Sequence, residues 1–176
     1  VFAKMADEKE ALFREMLAKE AAGGGCLLQP TAGVHDFVRW AKHDAKVAVA
    51  VCTNAPRANA EAMLASIGLT PEFEHVVIAD ECPRGKPAPD PYIRAFELLG
   101  VDPADGVVFE DSLTGVQSAV AAGCGVVVGI QSCLAPAALT AAGCTGVVRD
   151  FASVNRDGLM RGRVEPLPST GGAGCK

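Results

Sequence analysis

The chain has 176 residues, 49% of them apolar and 21% charged, which suits one globular domain with a short appendage and excludes a disordered or fibrous chain. Sixteen basic against 21 acidic residues leave a net charge of −5, with no basic stripe for a nucleic acid backbone. No apolar run reaches ten residues, too short to span a membrane.

The opening stretch, residues 1–20, predicts a charged helix with Phe2, Met5, Leu12, Phe13, Met16 and Leu17 at roughly helical spacing. Gly23, Gly24 and Gly25 then mark a hinge or linker. The chain begins at Val1 rather than Met and shows no signal peptide, so an upstream segment missing from the sequence is one reading.

From Cys26 to about Met160 short valine-rich runs alternate with amphipathic helices. The runs are residues 46–52 (KVAVAVC), 74–79 (EHVVIA), 106–110 (GVVFE), 125–130 (GVVVGI) and 146–148. The helices between them stop near Gly68, Gly100, Gly123 and Gly143, where a left-handed C′ residue belongs. Continuous β-branched runs suit strands buried on both faces. The alternation predicts an α/β fold: a Rossmann-like parallel sheet with helices on both faces. The expected organisation is a helical piece at 1–25, the α/β core at 26–160 and a loose tail at 161–176.

Seven cysteines (Cys26, Cys52, Cys82, Cys124, Cys133, Cys144 and Cys175) are an odd set without a C-x-x-C pair. They read as reduced thiols of an intracellular protein, without a disulfide framework or a zinc site. The expected compartment is the cytoplasm, or a plastid if a targeting segment has been lost.

Ligands of open α/β sheets bind at the carboxyl ends of the strands, so the residues after each run are the candidates. After KVAVAVC come Thr53 and Asn54: a hydroxyl and an amide at a helix start, able either to meet a phosphate oxygen or to cap the helix. After EHVVIA comes a loop stiffened by Pro83, Pro87, Pro89 and Pro91 that holds Lys86. Such a lysine is either one more solvated cation or a fixed charge for a transferring phosphoryl group. Asp90 and Pro91 are expected as N-cap and first residue of the next helix. After GVVF come Glu110 and Asp111, with Ser112 placed to cap the following helix. The two carboxylates suit a magnesium ion, though Asp111 also suits a plain N-cap.

A hydroxyl, a lysine and a carboxylate pair thus follow one another at three consecutive strand ends. In this the sequence resembles the haloacid-dehalogenase superfamily of phosphohydrolases. VAVAVCTNA with Thr53 resembles the second motif, and residues 86–92 (KPAPDPY) resemble the third, K-P-x-P-x-x-Y. Residues 107–115, ending E-D-S-L-T-G, resemble the fourth. The likeness covers about residues 1–150. It implies a magnesium-dependent phosphatase for small phosphorylated sugars, similar to plant-type sugar-phosphate phosphatases related to β-phosphoglucomutase. Thr53 and Lys86 would be catalytic, Thr53, Asn54 and Lys86 would bind the phosphate, and Glu110 and Asp111 would hold Mg2+. The opening helix resembles the last part of a helical cap. From it Lys9 either reaches the substrate phosphate or sugar, or lies on a solvated face beside acidic neighbours.

The superfamily's first motif, D-x-D-G-[T/S], supplies the aspartate nucleophile and the general acid, and no D-x-D occurs in the 176 residues. The resemblance therefore implies little turnover by this chain alone. It also implies open edges on the strands ending at Cys52 and Glu110, between which that motif's strand lies. A sugar phosphomutase of the same superfamily and a non-catalytic phosphometabolite-binding protein are the alternatives. A dinucleotide-binding domain is disfavoured, because G-x-G-x-x-G is missing after the first run. The oligomeric state is open.

Overall fold

A computed structural model describes residues 2–25 and 27–165. The chain runs α1 (Phe2–Ala22), α2 (Val34–His43), β1 (Ala50–Thr53), α3 (Arg57–Ser66), β2 (His75–Ile78) and α4 (Asp90–Leu99). It continues β3 (Val107–Glu110), α5 (Leu113–Ala121), β4 (Val126–Ile130), α6 (Pro136–Ala141), β5 (Gly146–Val148) and α7 (Arg156–Leu159). All strands pair in parallel, as the valine-rich runs predict. Gly68, Gly100, Gly123 and Gly143 take positive φ just after α3, α4, α5 and α6, the geometry that lets glycine end a helix without a Cβ clash.

The strands form two sheets rather than one. β1 pairs with β2, β4 pairs with both β3 and β5, and no ladder joins β1 to β3. The two sheets share a cover, because α4 lies against β1 and β2 and also packs on α5. Tyr92 and Phe96 of α4 join Val108, Val116, Ala119, Val127 and Leu139 in one core cluster, against which Cys52 of β1 packs. On the opposite face Phe37, Val126, Val128, Ile130, Val148 and Leu159 form a second cluster. β4 contributes alternate side chains to both and is buried along its whole length. Burying each Val or Leu in these layers contributes about 1.5–3 kcal/mol.

Several elements differ from the sequence reading. α2 lies where the valine rhythm marks nothing; its signal is Phe37, Val38 and Ala41, buried at helical spacing. β1 starts at Ala50 instead of residue 46, because Lys46 takes φ 57° and the Val47 amide bonds back to the Ala41 carbonyl. Within residues 161–165, expected to be loose, Val164 lies against the second cluster and Glu165 accepts from Asn155 at 2.7 Å, while the other residues are exposed. Residues 166–176 of the expected tail, with Cys26 and Cys175, lie outside the described residues. Among the described residues no helix is long and apolar enough to cross a membrane.

α1 rests on α3. Leu17 is buried there, and the polar contact is a knot on Asn59, itself only 3% exposed. Arg14 donates to Asn59 Oδ1 at 2.6 Å, and the Asn59 amide donates to Glu10.

Candidate active site

Three strand ends meet at the carboxyl edge, and the loop after β2 ties them together. Its tip is fixed from both sides. Ser118 of α5 donates to the Ala88 carbonyl at 2.5 Å, and Arg84 pairs with Asp90 at 2.8 Å. Asp90 is therefore the first residue of α4 and a partner for Arg84, while Pro89 takes the N-cap position expected of it.

From this loop Lys86 reaches back across the sheet ends. Its ammonium donates to the Cys52 carbonyl of β1 at 3.0 Å, to the Tyr92 hydroxyl at 3.2 Å and to Glu110 Oε1 at 2.5 Å. Its Nζ also lies 4.6 Å from the centre of the Tyr92 ring, close enough for a cation–π contact. Lys86 and Glu110 are 4% and 8% exposed, so each charge has the other as its nearest compensation. Lys86 is not a solvated surface lysine.

Glu110 is fully engaged. Tyr92 donates to its Oε1 at 2.5 Å, and the Ser112 hydroxyl donates to its Oε2 at 3.1 Å. The sequence offers Glu110 and Asp111 together as metal ligands; the fold commits the Glu110 carboxylate to Lys86, Tyr92 and Ser112. Asp111 is the open one. It is exposed, and its carboxylate makes no hydrogen bond or ion pair among the described residues. Nor does it cap the helix, since Ser112 does so by accepting from the Gly115 amide at 3.0 Å. Gly115 is required by the same geometry, because a Cβ there would fall on the Glu110 carboxyl group.

At the end of β1, Thr53 Oγ1 accepts from the Ala55 amide at 3.1 Å. This closes a turn in the loop, whereas α3 itself begins after Pro56 without a side-chain cap. Thr53 is half-buried and Asn54 exposed, so both remain within reach of a ligand at this edge. Lys9 makes its ion pair on its own helix. It is 75% exposed on α1 and paired with Glu10 at 2.7 Å. Among the described residues, no three histidine, cysteine, aspartate or glutamate side chains cluster to hold a metal unaided. One open carboxylate fits a magnesium ion that keeps most of its waters and shares a phosphate, the usual habit of that ion.

Burial and the neighbouring Glu110 charge push the Tyr92 hydroxyl far above its ordinary range, so it stays protonated and donates. Burial likewise pushes the Cys52 thiol up to about 11, leaving it neutral beside Lys86. Sequence reasoning names Tyr92 and Gly115 only as letters of the third and fourth motifs and overlooks Asn59. A tyrosine six residues after a loop lysine, and a glycine five after a strand-end glutamate, are the signals the sequence holds.

Known proteins resemble this chain in sequence and in fold. The model for haloacid dehalogenase-like hydrolases matches residues 3–123. The CbbY protein of Rhodobacter capsulatus is 38% identical over 128 residues, covering 71% of this chain and 55% of that protein. The fructose-1-phosphate phosphatase YqaB of Escherichia coli is 47% identical over 75 residues, covering 43% of this chain and 40% of that protein. The chain thus spans about half the length of these curated relatives. Among solved structures, a family IA HAD hydrolase from Entamoeba histolytica superposes with a TM-score of 0.78 at 27% identity, over 91% of this chain and 70% of that one. With its fold, its three strand-end motifs and a family match across most of the core, the chain belongs to the haloacid dehalogenase-like hydrolases.

Proposed function

We propose that the chain carries the phosphate-holding side of a magnesium-dependent phosphatase for small phosphorylated sugars. The observation that carries this reading is Lys86. A buried ammonium, pinned by Glu110 and Tyr92 at the ends of β1 and β3, supplies a preorganised positive charge where an α/β sheet takes its ligand. Thr53 and Asn54 would add a hydroxyl and an amide to the phosphate oxygens. Asp111 would hold the magnesium ion, and Glu110 would keep Lys86 charged and in place. When bound, the ion supplies neutralising charge to the phosphoryl oxygens. The name of the Escherichia coli relative, a phosphatase of fructose 1-phosphate, supports the sugar-phosphate class. Lys9, in its pair with Glu10, is left outside this set.

Attack on phosphorus through an aspartyl-phosphate needs a free carboxylate aimed at the phosphate, and the family's D-x-D run is not among these 176 residues. These residues alone are therefore expected to bind and not to turn over. That same observation favours one second reading, a phosphometabolite-binding protein without chemistry. The test is a panel of sugar phosphates offered to the purified chain with magnesium, measuring both binding and released phosphate, with Asp111→Asn alongside. Binding without release supports the proposal. Release that disappears in Asp111→Asn shows that a nucleophile lies within the chain, and no binding at all overturns the phosphate reading.

A further inference from the structure

Tyr92, which helps to pin Lys86 in the reading above, also completes the hydrogen bonding of that lysine. An ammonium group has three N–H donors and no acceptor. Three acceptors surround the Lys86 Nζ: the Cys52 carbonyl at 3.0 Å, the Tyr92 hydroxyl at 3.2 Å and Glu110 Oε1 at 2.5 Å. Every donor is spent, on a side chain that is 4% exposed. To donate to a phosphoryl oxygen, Lys86 must let one acceptor go.

The three are not equally replaceable. Releasing Glu110 would leave a buried carboxylate without its counter-charge, a strongly unfavourable state. Releasing the Cys52 carbonyl would take a charged donor from a main-chain acceptor that the strand holds in place. Tyr92 differs from both. Its bond from Lys86 is the longest of the three, and its hydroxyl is neutral. It also keeps a hydrogen bond of its own, donated to Glu110 Oε1 at 2.5 Å. Losing Lys86 as donor leaves nothing at Tyr92 unpaired, while the ring still seats the ammonium at 4.6 Å.

We infer that Tyr92 is a positioning residue, whose ring seats Lys86 and whose hydroxyl is the acceptor that a phosphoryl oxygen displaces. The inference rests on the phosphate reading above. Its consequence runs against the usual effect of removing a hydrogen-bonding group at a site. In Tyr92→Phe the ring and its packing remain, one donor of Lys86 is already free, and phosphate no longer has to compete for it.

The test is calorimetric titration of inorganic phosphate, at fixed magnesium, into the 176-residue chain and its variants. The expected result is binding about tenfold tighter or more in Tyr92→Phe than in the original chain, the worth of one hydrogen bond from a charged donor. Tyr92→Leu, which loses the seat as well, binds more weakly than Tyr92→Phe. The gain should vanish when Tyr92→Phe is combined with Lys86→Met and Glu110→Gln, a set that leaves no buried charge unpaired. Mere structural damage would not tighten binding. Phosphate binding that depends on Lys86 but is unchanged or weakened in Tyr92→Phe overturns this inference and leaves the phosphate reading standing. Phosphate that fails to bind, or binds regardless of Lys86, overturns that reading and this inference with it.

Discussion

Lys86 Nζ lies 2.5 Å from Glu110 Oε1, and that single contact ties the loop after β2 to the end of β3. Since β1–β2 and β3–β4–β5 share no ladder, the pair also links the two sheets at the edge where a ligand would sit. Two charges so far from water are tolerated only because each meets the other and the leftover lone pairs are filled by Tyr92 and Ser112. The lysine proposed to meet phosphate is thereby held in place by interactions that also hold the fold.

The pair should behave as a unit. Lys86→Met leaves Glu110 charged and buried, and is expected to cost about 3–5 kcal/mol in urea unfolding. Adding Glu110→Gln to it should recover more than half of that loss. A double variant no more stable than Lys86→Met would show that the ion pair is not what the single change breaks.

Gly115→Ala tests the same network from the helix side. A methyl group there occupies the space of the Glu110 carboxyl, so Glu110 must leave Lys86 or α5 must move. The expected outcome is a loss of about 1–3 kcal/mol in unfolding free energy, together with weaker phosphate binding. Gly123→Ala is the comparison: its Cβ meets nothing within 4 Å, but its φ is 80°, so it should lose stability without touching phosphate affinity.

Stability should fall on the alkaline side. Burial pushes the thiols of Cys52, Cys124 and Cys144 up to about 11 each. In the unfolded chain they ionise near the ordinary value of about 8.5. Between those values the unfolded state sheds protons that the folded state keeps, which favours unfolding as pH rises. Urea midpoints should therefore decline from about pH 8.5 to 11, and decline less in Cys52→Ala/Cys124→Ala than in the original chain. Identical slopes would remove the thiols from the account.

Asn59 should control α1. Arg14 and Glu10 both meet it, and Gly23, Gly24 and Gly25 directly follow the helix. In Asn59→Ala limited proteolysis near these glycines is expected to speed up by about tenfold, the worth of roughly 1.4 kcal/mol of local opening, while the core melts much as before. Unchanged cleavage would mean that Leu17 and its neighbours hold the helix without the knot.

Much of this was legible beforehand, for physical reasons that differ by element. β2, β3, β4 and β5 announce themselves because a strand covered on both faces must be apolar without alternation. Helix ends at Gly68 and Gly100 were readable because their positive φ suits little else. The sequence alone extends β1 to residue 46 because KVAV is as β-branched as a strand, and only Lys46's backbone angle and the Val47–Ala41 bond decide otherwise. Of the proposed site, Lys86, Thr53 and Asp111 are candidates from their places after strands. The different surroundings of Glu110 and Asp111 are not legible, since adjacent carboxylates look alike until one is buried beside a lysine.

The most direct measurement is phosphate affinity with and without magnesium, by calorimetry, for the original chain, for Asp111→Asn and for Lys86→Met/Glu110→Gln. If Lys86 and Asp111 act on one ligand, magnesium should tighten phosphate binding by about tenfold in the original chain, a coupling of roughly 1.4 kcal/mol. Asp111→Asn should erase the magnesium effect, and the lysine-free pair should erase phosphate binding itself. Phosphate affinity indifferent to magnesium and to Lys86 alike would contradict a phosphate site at this edge.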